Sequence, residues 1–358
     1  MSFNIQRKHT RQIHVGNVAI GGDAPIAVQS MTNTHTQDLS VTVAQIQRLI
    51  QAGCEIIRVA VPDMEAASAI ATIKKQISIP LIADIHFDYK LAIAAADKGA
   101  DGLRINPGNI GGKNKIKAVV EAAKHHGIPI RIGVNAGSLE KDILKARGGV
   151  TPEGLVESAL RQIDLMASFD FSNLKIAIKS SDVLQTIEAY RMLSSKTDFP
   201  LHVGITEAGG LYSGIVKSAI GIGMLLAQGI GDTLRVSLTR DPVEEVRVGF
   251  EILKALDIRK RGPEIISCPT CGRCNIDLFS IAEKIEKAIL TVKAPMKIAI
   301  MGCVVNGPGE ARAADVGIAG GDGFGVLFKK GKIVKKFPEE KLVEELLTAI
   351  EEIEKMKD

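Results

Sequence analysis

Between residues 25 and 250 a short β-branched run ending in polar or glycine residues, followed by an Ala-rich amphipathic stretch, recurs about eight times. The runs are PIAVQSMT, EIIRVAVPD, PLIADIHFD, GLRINPGN, IPIRIGVNAGS, LKIAIKSSD, PLHVGITEAGG and DTLRVSLTRDP. The stretches between them, such as SVTVAQIQRLIQAG and NKIKAVVEAAKHHG, have helical spacing and close on glycine, a C-terminal stop signal. Strand–helix alternation repeated this often is the pattern of a parallel (β/α)8 TIM-type barrel. An open doubly wound sheet is the runner-up, but no G-x-G-x-x-G follows the first strand.

The pattern breaks at LDIRKRGPEI, residues 256–265, a charged, proline-bearing segment that reads as a linker. The expected division is a barrel over 1–258 and a smaller α+β domain over 259–358. The second part holds a cysteine loop, a helix at IDLFSIAEKIEKAIL, strands at MKIAIMG, DVGIAGG, GFGVLFKKG and KIVKKF, and a charged helix through EEKLVEELLTAIEEIEKM. A net charge of +4 over 358 residues makes no global case for nucleic-acid binding, and the run KKGKIVKK reads as a solvated strand edge. No stretch is apolar and long enough to span a membrane; SAIGIGMLLAQGIG is short and glycine-rich. The N-terminal MSFNIQRKHTRQIHVG lacks the apolar core of a secretory signal. Five cysteines, an odd number, argue against a disulfide framework, and the expectation is a cytoplasmic protein whose clustered cysteines are free for metal.

Strands of a parallel barrel are covered on both faces and should be nearly unbroken apolar runs. Here Arg58, Arg104, Arg131, Lys179 and Arg235 each interrupt one. Internal pairing with Asp84, Glu55 or Glu207 accounts for any one of them, but burying five cations calls for anionic partners. Pointed toward the C-terminal strand ends, where barrel enzymes place their sites, they would hold a small diphosphate-like ligand. Asn106, Asn135 and Ser237, near strand ends, are candidate neutral donors, or simply turn caps. Glu207 is a candidate proton donor or acceptor, or an orienter of an arginine; His86 is an acid–base group or a hydrogen-bonded wall.

Cys268, Cys271 and Cys274 stand at two successive C-x-x-C spacings, and Cys303 follows in IMGCVVNGPGE. Four thiolates would suit zinc, while the spacing also suits an iron–sulfur cluster. Gly307 and Gly309 let the chain fold back and bring Glu310 toward Cys303. Three thiolates and one harder carboxylate would leave one iron exchangeable, a property useful to catalysis. Cys54 reads as a buried small apolar residue.

VQSMTNT, ADIHFDYKLA, LRINPGN, CPTCGR and MGCVVNGPGEAR, in this order, closely resemble the family of 4-hydroxy-3-methylbut-2-enyl diphosphate synthases of the non-mevalonate isoprenoid pathway. The resemblance spans essentially the whole chain and matches the shorter bacterial two-domain form. It implies reductive ring opening of 2-C-methyl-D-erythritol 2,4-cyclodiphosphate on a 4Fe-4S cluster held by Cys268, Cys271, Cys303 and Glu310. It puts the substrate's diphosphate on Arg58, Arg104, Arg131, Lys179 and Arg235, with Asn106, Asn135, Glu207 and Ser237 lining the same pocket. It also implies a flavodoxin or ferredoxin donor and a head-to-tail homodimer. Cys274 departs from the family pattern and is expected to be a bystander. The rivals are a barrel transferase acting on a pterin or sugar phosphate with a structural metal domain, and a zinc-stabilised binding module.

Overall fold

Each of the eight apolar runs is a strand in the computed structural model, which describes residues 5–303 and 311–357. A hairpin precedes them: β1 (Ile13–Val15) pairs antiparallel with β2 (Val18–Ile20) across a two-residue Gly16–Asn17 turn. The barrel strands are β3 (Ala27–Met31), β4 (Ile56–Ala60), β5 (Leu81–Asp84), β6 (Gly102–Ile105), β7 (Ile130–Asn135), β8 (Leu174–Lys179), β9 (His202–Val203) and β10 (Thr233–Leu234). They pair in parallel from β8 through β3 to β10 and β9, and a parallel bridge between Ile176 and Leu201 closes the ring. The (β/α)8 expectation holds.

A helix follows every barrel strand, and its boundaries follow local chemistry. Asp63, Thr151, Asp182 and Asp241 cap four of them through side-chain oxygens that accept backbone N–H donors. Gly53 and Gly127 end two in the left-handed conformation, the glycine stops that the sequence signals. Alternate strand residues such as Ile57, Val59, Leu103, Ile132 and Ile176 join the helices in one core between the two layers. The hairpin seals the other end. Ile13, Val15 and Ile20 pack with Ala27, Ile56 and Ile82 where the strands begin, leaving the C-terminal mouth to polar side chains.

The chain divides into Met1–Arg259 and Lys260–Asp358. In the second unit, β11 (Pro263–Ser267), β12 (Met296–Met301) and β13 (Val316–Gly320) are parallel, and β14 (Phe324–Lys329) and β15 (Lys332–Pro338) continue the sheet antiparallel. Helices Leu278–Ala288 and Leu342–Lys357 complete it. β15 is an edge strand with an exposed lysine-rich face, as KKGKIVKK suggests. The division falls inside the segment 256–265, whose two ends are structured. Leu256 and Ile258 pack on the barrel core, Arg259 pairs with Glu55 at 2.8 Å, and the segment from Pro263 is already β11.

Candidate active site

The five strand-borne cations converge on the inner face of the barrel. Arg58, Arg104, Arg131 and Lys179 are buried, and Arg235, just beyond β10, is half-buried. Two inward-facing glycines make room for them. A Cβ on Gly133 would lie 2.9 Å from Arg104 Nε, and one on Gly204 would lie 2.6 Å from Lys179 Nζ and 2.3 Å from the Arg235 carbonyl oxygen. Burial, then Arg131, Arg235, Arg58 and Arg104, push the Lys179 ammonium well below its ordinary value. Burial, then Arg58 and Arg104, act on the Arg131 guanidinium in the same direction. This is a cluster of like charges that an arriving anion would relieve.

Among the described residues, two carboxylates answer the five cations. Asp84 receives Arg104 Nη1 at 3.0 Å and faces Arg58 Nε at 3.5 Å. Burial pushes its carboxyl up, but Arg58, the neighbouring His86 and Arg104 outweigh that and hold it well below the usual carboxylate range. Glu245 faces Arg235 Nε at 3.6 Å and accepts the Leu238 N–H at 2.9 Å. Burial raises its carboxyl against the pull of Arg235. Arg58 further donates to the Met31 thioether at 2.9 and 3.1 Å. Asp84 is thus an internal partner, as proposed, whereas Glu55 is not: it binds Arg259 and the Val28 N–H instead. Glu245 went unnoticed in the sequence. Its signal is a lone carboxylate on the apolar face of Pro242–Ala255, beside Val246, Gly249 and Leu253.

The neutral candidates ring the same mouth. Asn106 follows β6, caps the next turn by accepting the Gly108 N–H at 3.2 Å and donates to Ser138 Oγ at 2.9 Å. Asn135 ends β7, and Ser237 follows β10 half-buried. His86 is more than half exposed and reaches Asp84 Oδ2 at 3.6 Å, so it forms a wall of the acid's surroundings. Glu207 is exposed, in the left-handed region at φ 51°, and among the described residues it makes no ion pair. That conformation strains a non-glycine residue, and such strain clusters at working sites. The alternative in which Glu207 orients an arginine finds no contact to support it.

The cysteines lie at one end of the second sheet. Ser267 at the end of β11 pairs in register with Ile300 of β12, so Cys268 and Cys303, which follow these strands, leave the sheet at the same end. Cys268 Sγ accepts the Gly302 N–H at 3.2 Å. Cys271 is exposed, and backbone and side-chain hydrogen bonds from Arg273 lower its thiol. Cys274 behaves differently: its Sγ donates to the Ile276 carbonyl at 3.3 Å and lies against Gly302, and it packs on the unit's core. Among the described residues no three His, Cys, Asp or Glu side chains gather as a metal site, and Glu310 lies outside the described residues. The donor set still fits a soft metal group: three thiols from one sheet end, two stabilised by N–H donors, with the fourth thiol turned into packing.

Two family models match successive parts of the chain. One described as the GcpE TIM-barrel domain matches residues 10–250, and one described as the GcpE protein C-terminal domain matches residues 264–352. The chain belongs to the GcpE family. Among curated GcpE relatives, one from Desulfotalea psychrophila is 61% identical over 353 residues, covering 98% of this chain and 97% of its own. One from Caldanaerobacter subterraneus is 62% identical over 349 residues, covering 98% of each. Both are named 4-hydroxy-3-methylbut-2-en-1-yl diphosphate synthase (flavodoxin). Among solved structures, the dihydropteroate synthase of Yersinia pestis aligns with a TM-score of 0.51 at 14% identity, covering 70% of this chain and 98% of its own. That likeness is one of barrel fold alone, so it lends no weight to the pterin transferase weighed from the sequence. No helix among the described residues is long and apolar enough to cross a membrane.

Proposed function

We propose that this GcpE-family chain is an oxidoreductase that converts 2-C-methyl-D-erythritol 2,4-cyclodiphosphate to (E)-4-hydroxy-3-methylbut-2-enyl diphosphate. The names of its relatives support the reaction, and the observation that carries the substrate is the set of five inward cations at the barrel mouth against two acids. Two electrons and one proton enter, one ring C–O bond to the diphosphate breaks, a hydroxyl leaves as water and a C=C bond forms. The oxygen released by ring opening stays on the diphosphate as an anion. Arg58, Arg104, Arg131, Lys179 and Arg235 bind the diphosphate and stabilise that growing charge, in a pocket whose walls are already in place. Asn106, Asn135 and Ser237 supply neutral hydrogen bonds around it. Glu207 holds the proton that leaves with the departing hydroxyl; its exposure and strained backbone suit a group that exchanges protons with solvent.

A 4Fe-4S cluster on Cys268, Cys271, Cys303 and Glu310 would supply the electrons one at a time. Cys274 stays outside the ligand set, its Sγ turned to the Ile276 carbonyl. Flavodoxin, named for the relatives, is the electron donor. The enzyme works in the cytoplasm as a head-to-tail homodimer, in which the cluster unit of one protomer serves the barrel mouth of the other. Light scattering on the purified protein should give twice the chain mass. The cofactor is tested by iron, zinc and acid-labile sulfide content after anaerobic purification. About four irons and four sulfides per chain are expected; one zinc without sulfide would overturn the redox reading. The Glu207→Ala variant should bind substrate normally and lose most turnover, and full turnover would remove it from the chemistry.

A further inference from the structure

β8 carries a second lysine. Lys175 and Lys179 are four residues apart on one strand, so both side chains enter the barrel. Lys175 is 1% exposed, among the largest fully buried side chains of the chain. In register it neighbours Arg131 on β7, which neighbours Arg104 on β6, which neighbours Asp84 on β5. One inner row therefore runs acid, arginine, arginine, lysine across four adjacent strands. Asp84 serves the near end of the row through Arg104 and Arg58. At the far end, Arg131 Nε and Nη1 and Lys175 Nζ are all buried without a hydrogen-bond partner among the described residues. A guanidinium offers only donors, so what Arg131 lacks beneath it is an acceptor. The group on the next strand that can become one is the Lys175 amine.

We propose that Lys175 is a positioning residue for Arg131, setting its guanidinium from the layer beneath so that it faces the diphosphate. Burial, then Arg131, lower the Lys175 ammonium well below its ordinary value, with Asp232 opposing and Arg58 adding, and an unprotonated amine accepts from Arg131 through its lone pair. The inference rests on the reading of the barrel mouth as a diphosphate site.

The test uses the full chain with inorganic pyrophosphate, titrated by calorimetry, and steady-state turnover of the cyclodiphosphate. Lys175→Met keeps the side chain's length and removes its nitrogen; Lys175→Gln keeps an acceptor oxygen. Lys175→Met should weaken pyrophosphate binding and raise KM about tenfold, the scale of one charge-assisted hydrogen bond, with kcat little changed. Lys175→Gln should recover most of that loss. In an Arg131→Met background, Lys175→Met should add nothing further. Wild-type affinity in Lys175→Met, equal losses in the Met and Gln variants, or full additivity with Arg131→Met would each overturn the proposal. Should Lys175→Met fail to fold, as thermal melting would show, Lys175→Leu takes its place with the same expected loss. A wild-type chain that neither binds pyrophosphate nor turns over the cyclodiphosphate would refute the diphosphate reading itself, and this inference with it.

Discussion

Asp84 carries a double electrostatic duty, since it stands between two buried guanidiniums, Arg58 and Arg104. Replacing it with asparagine leaves both guanidiniums buried and uncompensated, and should cost about 3 kcal/mol in urea unfolding at neutral pH. Because its folded carboxyl lies well below the ordinary range, its contribution is complete above about pH 4, the unfolded value. It is lost as pH falls further through the folded value, so the gap between wild type and Asp84→Asn should narrow in acid. Lys179 works the other way. Burial and its cationic neighbours favour its neutral form, so pyrophosphate binding should draw a proton onto it. Calorimetry in buffers of different ionisation heat should detect uptake, with affinity falling as pH rises; release of protons would contradict this. Cys54 illustrates a residue without such a task. Burial pushes its thiol up to about 12, and iodoacetamide at pH 8 should leave it unmodified in the folded chain.

At the scale of elements, the barrel was readable because strands covered on both faces must be apolar runs, which made each intruding charge conspicuous. The same logic located five cations, yet it passed over Lys175, whose strand already had a more visible lysine at its end. The acid opposite Arg235 was missed because it comes from a helix rather than a strand. The β1–β2 hairpin went unread although Gly16–Asn17 between Val15 and Val18 is a two-residue turn signal. Its role is tertiary: it buries the strands' first residues and leaves one mouth open. β9 shows how a strand's shape serves the site. Alanine at Gly204 would collide with the Arg235 backbone and displace Lys179, and should raise KM at least tenfold while the circular dichroism stays native.

For the whole molecule, two units divide the work: a barrel with a cationic mouth, and a smaller sheet whose cysteines share one end. The cysteine spacing alone leaves both zinc and iron–sulfur open. What separates Cys274 from its neighbours is where its sulfur turns: its S–H reaches the Ile276 carbonyl two residues on, and it lies against Gly302 of the next strand's end, a tertiary contact that no spacing encodes. Cys274→Ser should therefore retain iron and turnover, whereas Cys303→Ser should lose both. The most direct test of the account is anaerobic incubation of the iron–sulfur-loaded chain with reduced flavodoxin and 2-C-methyl-D-erythritol 2,4-cyclodiphosphate, with the products followed by phosphorus NMR. The account predicts that the cyclic diphosphate signals give way to those of (E)-4-hydroxy-3-methylbut-2-enyl diphosphate, one product for every two electrons consumed. A cyclodiphosphate left intact while reduced flavodoxin and a loaded cluster are both present would contradict it.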